Sequence, residues 1–370
     1  MAGGAGWLWR LFKRARSLKR SSRTRNMPDV VVNGRFLSRP ITGVERYAGE
    51  ITRRLEGRIR VCRPPDSAIG ARGHLWEQMR LPRLVNGALL WSPANTGPVV
   101  VSRQVVTVHD VAPLDHPEWF EPRVGAWYRW LLPQLVKRVA RVITVSQFSK
   151  TRLMERLGVP ADRVVAIPNG VSGRFHPRSS AEVTRVTARY RLRAPYLLMG
   201  GSLEPRKNFD VVARAWAEAG PALDGLTLAV VGDTRQTLQP AVPDPRLGWV
   251  RRLDDVHDTD LPALYAGAIG LVIPSLDEGF GLPLLEAMAC GTPVVAARAG
   301  ALPEVAGDAA IFVDPHDPAS VAGGILRLVG DETARQTCRA RGLERAAAFN
   351  WDRSASMTWQ VLSDAAGGAA

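Results

Sequence analysis

The stretch EGFGLPLLEAMACGTPVV, from Glu278 to Val295, follows an apolar run, AIGLVIPS, that has the composition of a buried strand. Pro283 suits the first position of a helix, and Gly291, followed by a Thr-Pro pair, suits the end of one. The residues between them are apolar enough for a short buried helix. The stretch is therefore predicted to be the corner at which a buried strand turns into that helix.

The composition of this corner predicts a ligand site. Gly279 and Gly281 precede the helix, whose first backbone N–H groups and positive dipole end are suited to an anion. Glu286 lies one turn into the helix and Glu278 in the loop before it, so both side chains can face a ligand at the corner. A carboxylate accepts two charge-assisted hydrogen bonds from sugar hydroxyls. The corner is predicted to hold an anion and a polyol together.

A second strand end indicates the same chemistry. The run PYLLMGG is followed by SLEPRKN, which places Arg206 and Lys207 where an open parallel sheet binds its ligands. A guanidinium beside an ammonium fits the oxygens of a diphosphate. No carboxylate cluster with metal-ligand spacing lies nearby in the sequence. If the leaving group is a nucleoside diphosphate, these two cations could replace a magnesium ion.

The rest of the chain alternates strand-like and helix-like segments in two series. The first contains DVVVN, ALLWS, QVVTVH, RVITVS and RVVAIP, and the second contains PYLLMGG, LTLAVVG, AIGLVIPS, PVVAA and AAIFVD. The segment 171–195, rich in Arg, Ser and Pro, is the predicted linker. The prediction is an α/β protein with two Rossmann-like, doubly wound parallel-sheet domains facing each other across a cleft, at 27–188 and 189–348. A last helix is expected in 349–370.

The formal charge of +14 is concentrated in one place. Residues 1–26 contain eight Lys or Arg and no acid, so 14 − 8 leaves +6 for the rest. As a helix, this tail would separate an apolar face from a basic one and could lie on an anionic membrane. The alternatives are a disordered tail or a start codon placed too far upstream, since Met27 directly precedes the first strand.

Composition also limits the location of the protein. The three cysteines lie far apart and lack zinc-site spacing, which indicates a reduced compartment without disulfides. No apolar stretch approaches the ~20 residues of a membrane span, and charges interrupt any secretory signal. The predicted location is the cytoplasm, with peripheral attachment to the inner face of the membrane left open. Nucleic acid is not an expected partner.

Several segments together resemble family 4 of the nucleotide-sugar glycosyltransferases. They are the block containing Glu278 and Glu286, with seven residues between them, together with GSLEPRKN, IPNGV, ITGVERYA, TVHD and VSQFSKTRL. The resemblance spans Met27 to Leu362 and leaves only the basic tail unexplained. It implies the GT-B fold, a final helix that crosses back onto the first domain, and a reaction that mostly retains anomeric configuration.

The resemblance also implies roles for particular residues. The implied catalytic residues are Arg206, Lys207, Glu278 and His109. The implied donor-binding residues are Gly43, Gly201, Phe280, Gly281, Leu282 and Glu286. The two cations would bind the donor diphosphate, Glu286 the ribose and Glu278 the transferred sugar, while His109 would line the acceptor side. The loop Thr42-Gly43-Val44-Glu45 departs from the paired-glycine form common in the family, which weakens the phosphate contact implied for Gly43.

Each residue also has a structural interpretation. The two glutamates could cap a helix, the Arg-Lys pair could be a solvated turn, and His109 could be a hydrogen-bonded core residue. Ser146 and Ser149 are expected to cap a helix, and Asp110 to lie in a loop. The tryptophans at 76, 119, 127 and 130 could stack on an acceptor sugar but are expected in the core.

The resulting hypothesis is a retaining hexosyltransferase without metal or cofactor. It would move mannose or glucose from a nucleotide diphosphate sugar, GDP-mannose before UDP-glucose, to a glycan or lipid-linked acceptor in cell-surface polysaccharide synthesis. No His or Asp is placed to make a nucleophilic triad with a serine. The alternatives are a GT-B phosphorylase with pyridoxal phosphate on a lysine, and a basic membrane- or nucleic-acid-binding module without catalysis.

Overall fold

The computed structural model describes residues 29–200, 204–232 and 248–367, and within them the chain forms two parallel sheets of six strands each. The strand order is β2-β1-β3-β4-β5-β6 in the first sheet and β12-β11-β10-β7-β8-β9 in the second. The strands are β1 (Val30–Asn33), β2 (Ile59–Cys62), β3 (Leu89–Ser92), β4 (Gln104–Thr107), β5 (Arg141–Thr144), β6 (Val164–Ala166), β7 (Tyr196–Gly200), β8 (Thr227–Val231), β9 (Val250–Leu253), β10 (Gly270–Ile273), β11 (Val294–Ala297) and β12 (Ala310–Val313). We call each sheet with its helices a lobe.

Helices connect most of the strands, as the alternation in the sequence predicts. They are α1 (Gly43–Arg54), α2 (Ala71–Met79), α3 (Leu81–Val85), α4 (Ala112–Asp115), α5 (Pro122–Arg138), α6 (Gln147–Leu157), α7 (Ser180–Arg189), α8 (Phe209–Ala219), α9 (Leu261–Gly267), α10 (Leu282–Ala289), α11 (Leu302–Ala306), α12 (Pro318–Gly330), α13 (Glu332–Ala347) and α14 (Trp351–Gly367). The predicted α/β architecture is confirmed.

Two strands are absent from the sequence prediction, and both lie at a sheet edge. The edge strands β2 and β9 read IRVC and VRRL, so they carry arginines and are only partly buried. An edge strand has one neighbour and can present charged side chains to water. The ten predicted strands are nearly all apolar, and eight of them lie inside a sheet, where both faces are covered.

Successive side chains of the first sheet point alternately to its two faces. Val32 and Trp91 pack on one face in the same apolar cluster as Tyr47 of α1 and Trp351 of α14. Val31 and Leu90 face the opposite side, where α2 and α3 cover them. Helix α14 packs against α1 and against β3, β4 and β5, so the last helix of the chain lies on the first lobe.

Helix α7 belongs to the second lobe, which corrects the predicted boundary between 188 and 189. Val186 lies in the same apolar cluster as Leu264 of α9, and Arg189 is paired with Asp260 at 2.7 Å. The predicted boundary divides this helix. The break between the lobes therefore precedes Ser180, because the apolar side of α7 is buried against α9.

The approach of α14 to the first lobe depends on Gly170. A Cβ added there would lie 2.2 Å from the backbone nitrogen of Trp351, whereas one added at Gly173 would meet nothing within 4 Å. Gly170→Ala is expected to lower the free energy of unfolding by about 1–3 kcal/mol, because backbone has to move. Gly173→Ala is the matched control. Equal urea denaturation midpoints for the two variants would contradict this close contact.

Candidate active site

The cleft between the lobes is lined by the carboxyl ends of strands from both sheets. On the first lobe, His109 and Asp110 follow β4, and Asn169 follows β6. On the second lobe, Gly200 ends β7 and Glu278 follows β10. Open parallel sheets bind their ligands at these ends. The two sheets thus bring their ligand-binding edges to one cleft.

A buried ion cluster centred on Glu278 joins two strand ends of the second lobe. Its Oε1 contacts Lys207 Nζ and accepts a hydrogen bond from Ser275 Oγ at 2.9 Å, and its Oε2 accepts one from Arg206 Nη1 at 3.2 Å. Glu278 and Lys207 are each 7% exposed. The structure therefore brings together three of the predicted catalytic residues.

The charges in this cluster determine one another's protonation. Burial would raise the pKa of Glu278, but Lys207 and Arg206 outweigh it and lower the pKa to about 2. Burial and Arg206 lower the pKa of Lys207 against the opposing effect of Glu278. Arg206 Nε also donates to Glu204 Oε2 at 2.6 Å. Glu278 is consequently ionised at neutral pH and a very weak base.

Gly300 allows the backbone of Glu278 to pack closely. Gly300 has a φ of +58°, and a Cβ added there would lie 2.6 Å from both the nitrogen and the oxygen of Glu278. The next residue, Ala301, donates its N–H to the Glu278 carbonyl at 2.9 Å. Any larger residue at position 300 would displace the loop that carries the carboxylate.

Gly279 is the point at which the first lobe contacts this loop. Ser146 Oγ and Ser149 Oγ donate to its carbonyl oxygen at 2.7 and 3.2 Å, and a Cβ added at Gly279 would lie 2.5 Å from the His109 carbonyl oxygen. Ser146 also caps α6 by accepting from the N–H of Ser149 at 3.0 Å. The predicted capping role is confirmed for Ser146 and is wrong for Ser149, which is the third residue of α6. Both hydroxyls in addition connect the lobes.

Helix α10 begins at the cleft, as the corner in the sequence predicts. Gly281 caps it with a φ of +96°, and Leu282 is its first residue, so Pro283 takes the second position rather than the first. Phe280 and Leu282 line the cleft. Gly43 begins α1 directly opposite, since a Cβ added there would lie 3.5 Å from Leu282 Cδ1. The amino ends of two helices thus face one another.

Gly43 and Gly201 are the two glycines among the predicted donor-binding residues that lie outside the corner 278–295. The Thr42-Gly43-Val44-Glu45 loop is a capping box, in which Thr42 N–H donates to Glu45 Oε2 at 3.2 Å. Gly43 is therefore part of the first turn of α1. Gly201 lies outside the described residues.

Glu286 is held by an ion network that crosses the cleft. It is 6% exposed, its Oε1 lies 3.2 Å from Arg46 Nη1, and its Oε2 lies 3.5 Å from the Tyr265 hydroxyl. Arg46 Nη2 also donates to Asp258 Oδ1 at 2.8 Å, and Asp258 is paired with Arg174. Burial raises the pKa of Glu286, and Arg46 opposes that rise. A residue of the first lobe thus positions the carboxylate predicted to bind ribose.

Sequence reasoning missed Arg46, Asp258 and Arg174 as site residues. Arg46 lies three residues after Gly43, within the ITGVERYA segment that supports the family resemblance. That segment was a signal that could have identified it. Asp258 is 212 residues away from Arg46 in the sequence, so their pairing arises only from the fold.

His109 lines the cleft and is also hydrogen-bonded to the protein. Its Nε2 lies 3.0 Å from the Pro93 carbonyl oxygen, so Nε2 carries the proton, and its ring meets Tyr47 edge-on at 4.7 Å. Burial lowers the pKa of His109 to about 4, although the Pro93 carbonyl opposes this shift. At neutral pH the ring is neutral, and Nδ1 is a hydrogen-bond acceptor.

The cleft wall on the first lobe carries aromatic side chains. Trp119 lines the cleft and stacks on His116, with ring centroids 3.9 Å apart. Trp76 is buried, as expected, but Trp130 is 52% exposed, so the expectation of a core position was wrong there. Trp130 lies on the outer side of α5, away from the sheet.

Two structural features are absent from residues 29–200, 204–232 and 248–367. No three His, Cys, Asp or Glu side chains cluster there in a way that could hold a metal ion. No helix of these ranges has the length and apolar character needed to traverse a bilayer.

Comparison with known proteins agrees with this geometry. Residues 194–331 match the family described as glycosyl transferases group 1, and residues 83–173 match glycosyltransferase family 4. The chain is 36% identical over 264 residues to O-antigen chain mannosyltransferase B of Escherichia coli, covering 70% of this chain and 69% of that protein. It is 32% identical over 262 residues to O-antigen chain mannosyltransferase RfbU of Salmonella typhimurium, covering 68% of each.

Solved structures share the fold at low sequence identity. A crystal structure of Anabaena HepE in complex with UDP-glucose aligns with a TM-score of 0.73 and 20% identity, covering 92% of this chain and 100% of that chain. The structure of WaaG, a glycosyltransferase involved in lipopolysaccharide biosynthesis, aligns with a TM-score of 0.69 and 15% identity, covering 90% and 99%.

Two parallel-sheet lobes face each other across a cleft that is lined by cations and by the amino ends of two helices. This is the architecture of the GT-B class of glycosyltransferases. Within that class, the chain belongs to family 4, the glycosyl transferases group 1 type. It is therefore an enzyme, and the alternative of a binding module without catalysis is not retained.

The interlobe network predicts a defect in donor binding. Arg46→Ala is expected to raise the KM for the nucleotide sugar about tenfold while kcat changes less, because Arg46 positions Glu286 and does not contact the reacting atoms. Arg185→Ala, an exposed position on α7, is the control. Steady-state kinetics measure both constants. A fall in kcat at unchanged KM would contradict this role.

Proposed function

We propose that this enzyme transfers a hexose, with mannose favoured, from a nucleotide diphosphate sugar to a glycan or lipid-linked glycan, with retention of anomeric configuration. The family membership and the two O-antigen chain mannosyltransferases to which it is similar support mannosyl transfer in cell-surface polysaccharide synthesis. GDP-mannose is the first candidate donor and UDP-glucose the second, and a fold neighbour was solved with UDP-glucose.

One observation carries the proposal: Arg206 and Lys207 converge on Glu278 beside the amino end of α10. Two adjacent cations and a row of helix N–H groups form a site for a diphosphate. The carboxylate between the cations is an acceptor for sugar hydroxyls. The phosphates and the sugar of the donor would then be bound by neighbouring groups in the two loops that follow β7 and β10.

The two cations favour departure of the leaving group. Charge accumulates on the diphosphate oxygens as the bond to the sugar breaks, and fixed positive groups stabilise that charge in the transition state. Each hydrogen bond to a charged group contributes about 1.5–3 kcal/mol. Arg206 and Lys207 would thereby supply the charge neutralisation that a divalent ion supplies elsewhere, and we propose a reaction without metal.

The contacts made by Glu278 argue against a covalent role. Its pKa of about 2 makes it a poor base, and Lys207, Arg206 and Ser275 all contact its oxygens. We therefore assign no protein nucleophile. In the proposed step the acceptor oxygen bonds to the anomeric carbon on the face that the diphosphate leaves. The departing phosphate takes the proton of the acceptor hydroxyl, and this geometry retains the configuration.

The remaining residues have binding roles in this proposal. Glu286, positioned by Arg46, would accept hydrogen bonds from the ribose hydroxyls. His109, neutral at physiological pH, would accept a hydrogen bond at Nδ1 from a sugar hydroxyl. Trp119 offers an aromatic face on the acceptor side of the cleft.

The Arg206→Ala, Lys207→Ala double variant is expected to lose at least about 3 kcal/mol of transition-state stabilisation, roughly 150-fold in kcat/KM. The matched control is Arg191→Ala, Arg193→Ala, a nearby exposed arginine pair. Circular dichroism checks that the site variant is folded, because it leaves Glu278 without its cations. Turnover near that of the wild type would refute the diphosphate assignment.

Donor and stereochemistry are tested on the intact enzyme. GDP, UDP and dTDP sugars are compared by thermal shift, in which a ligand at 100 times its Kd stabilises by about 2.7 kcal/mol. The product anomer from the best donor is read by NMR, with and without EDTA. The expected result is stabilisation by GDP-mannose and an α-linked product whose yield EDTA does not change. A β-linked product would exclude retention, and loss of turnover in EDTA would exclude the metal-free reaction.

A further inference from the structure

The turn that carries Arg206 and Lys207 ends at Asn208. Residues Pro205–Lys207 form a short 3₁₀ helix, and α8 begins with Phe209, directly after Asn208. Arg206 and Lys207 line the cleft, whereas Asn208 is not among the described residues that do so. Asn208 thus lies behind the cationic turn and connects it to α8.

The backbone of Asn208 is in the left-handed region, with φ +58° and ψ +46°. Asparagine adopts this conformation more readily than most residues that have a Cβ, and glycine adopts it at no steric cost. The N–H of Asn208 donates to the Pro205 carbonyl at 3.0 Å, which closes the turn. The backbone requirement at this position would therefore be met by glycine as well as by asparagine.

The side chain of Asn208 meets a second requirement, which glycine cannot meet. An asparagine at the start of a helix ordinarily accepts a hydrogen bond from the first turn, but α8 has no such cap. Asn208 Nδ2 instead donates to the Pro274 carbonyl at 3.1 Å and to the Pro315 carbonyl at 2.7 Å. A carbonyl oxygen only accepts, so both hydrogens of the amide are used. The side chain therefore bridges two loops.

The two carbonyls belong to different strand ends. Pro274 directly follows β10, and Pro315 lies two residues after the end of β12. In the second sheet β11 separates these two strands, while β7, which precedes the cationic turn, is the other neighbour of β10. One amide group thus joins three loops at the edge of the sheet where the ligand is expected to bind.

The segment after β10 contacts the turn at two further points. The Arg206 carbonyl accepts from the Leu276 N–H at 2.8 Å. The Glu278 carboxylate contacts the side chains of Arg206 and Lys207. With the bond from the amide to Pro274, three alternate residues of one segment hold the turn beside the carboxylate.

We propose that Asn208 is a positioning residue, whose amide holds the turn so that Arg206 and Lys207 point at the donor diphosphate. The inference rests on the proposed function, in which these two cations bind the diphosphate. Its physical basis is that the phosphate oxygens and Glu278 are both anionic acceptors and compete for the same N–H groups. The bridge made by Asn208 involves neither cationic side chain, so it keeps the turn in place while the cations exchange the carboxylate for the phosphates.

The bridge also acts on the Glu278 side of the cluster. Pro274 is followed by Ser275, a buried residue whose Oγ donates to Glu278 Oε1 at 2.9 Å. Fixing the Pro274 carbonyl therefore fixes the backbone from which this hydroxyl reaches the carboxylate. Loss of the amide is expected to loosen both partners of the ion cluster, and to affect most a ligand that contacts the cations.

Nucleotide binding tests the proposal on the full chain. GDP and GMP, with UDP and UMP in parallel, are titrated calorimetrically, because the diphosphate has one phosphate more for the cations to contact. Asn208→Gly permits the left-handed backbone and removes the amide, and Asn208→Ala removes the amide without that freedom. Each is expected to weaken binding of the diphosphate about tenfold and of the monophosphate about twofold at most.

Asn86→Gly is the matched control, because Asn86 is exposed and has a φ of +48° at the end of α3. It is expected to bind both nucleotides as the wild type does. Wild-type diphosphate affinity in Asn208→Gly, with a loss in Asn208→Ala alone, would assign the role to the backbone conformation and overturn the proposal. An equal loss for GDP and GMP, or a lower urea denaturation midpoint at unchanged affinity for both, would assign Asn208 a purely structural role and overturn it as well.

A double-mutant cycle in kcat/KM for the donor determines whether Asn208 acts through the cations. Asn208→Gly is expected to lower kcat/KM about tenfold in the wild type and to have no further effect in the Arg206→Ala, Lys207→Ala background. The same loss in both backgrounds would overturn the proposal, because the amide would then act elsewhere.

The same variants separate this inference from the proposed function. Unchanged GDP and UDP affinity in the Arg206→Ala, Lys207→Ala variant would refute the diphosphate assignment, and this inference with it. Weakened affinity in that variant, together with wild-type diphosphate binding by Asn208→Gly, would overturn the positioning role alone.

Discussion

The buried carboxylate of Glu278, held between Lys207 and Arg206, is the interaction on which the site depends. Burial of three charged groups is costly, and the cluster is stable only because the charges compensate one another with short contacts. The cluster joins the segment after β7 to the segment after β10. These two strands are neighbours in the second sheet. The same charges that connect these two loops form the predicted diphosphate and sugar contacts, so a change to any member alters folding and binding together.

Two contacts from the first lobe reach the strand-to-helix corner that carries both glutamates. Ser146 and Ser149 bind the carbonyl of Gly279, and Arg46 reaches across to Glu286. Both lobes therefore help to position the two glutamates of the second lobe. A transferase that must exclude water from a reactive sugar benefits from such a shared site, because closing the lobes and assembling the site become one event.

Much of the fold and part of the site could be predicted from the sequence. Ten strands were predictable because they are mostly apolar runs, eight of them inside a sheet and two, β6 and β12, at an edge, while β2 and β9 were missed because arginines interrupt them. Arg206, Lys207 and Glu278 were predictable because each lies in the segment that follows an apolar strand. Arg46 and Asp258 were missed because each becomes a site residue only through a partner on the other lobe. The boundary near 188 was wrong because only packing shows that α7 belongs with α9.

The sequence by itself determined the class of fold, the family and the chemical types of the central site residues, because these depend on local patterns: apolar runs, glycines before a helix, and adjacent charges after a strand. Only the tertiary structure decided which charges pair and which nitrogen of His109 carries the proton. The physical reason is that ion pairing and desolvation depend on distances between residues far apart in the chain, and no local pattern specifies those distances.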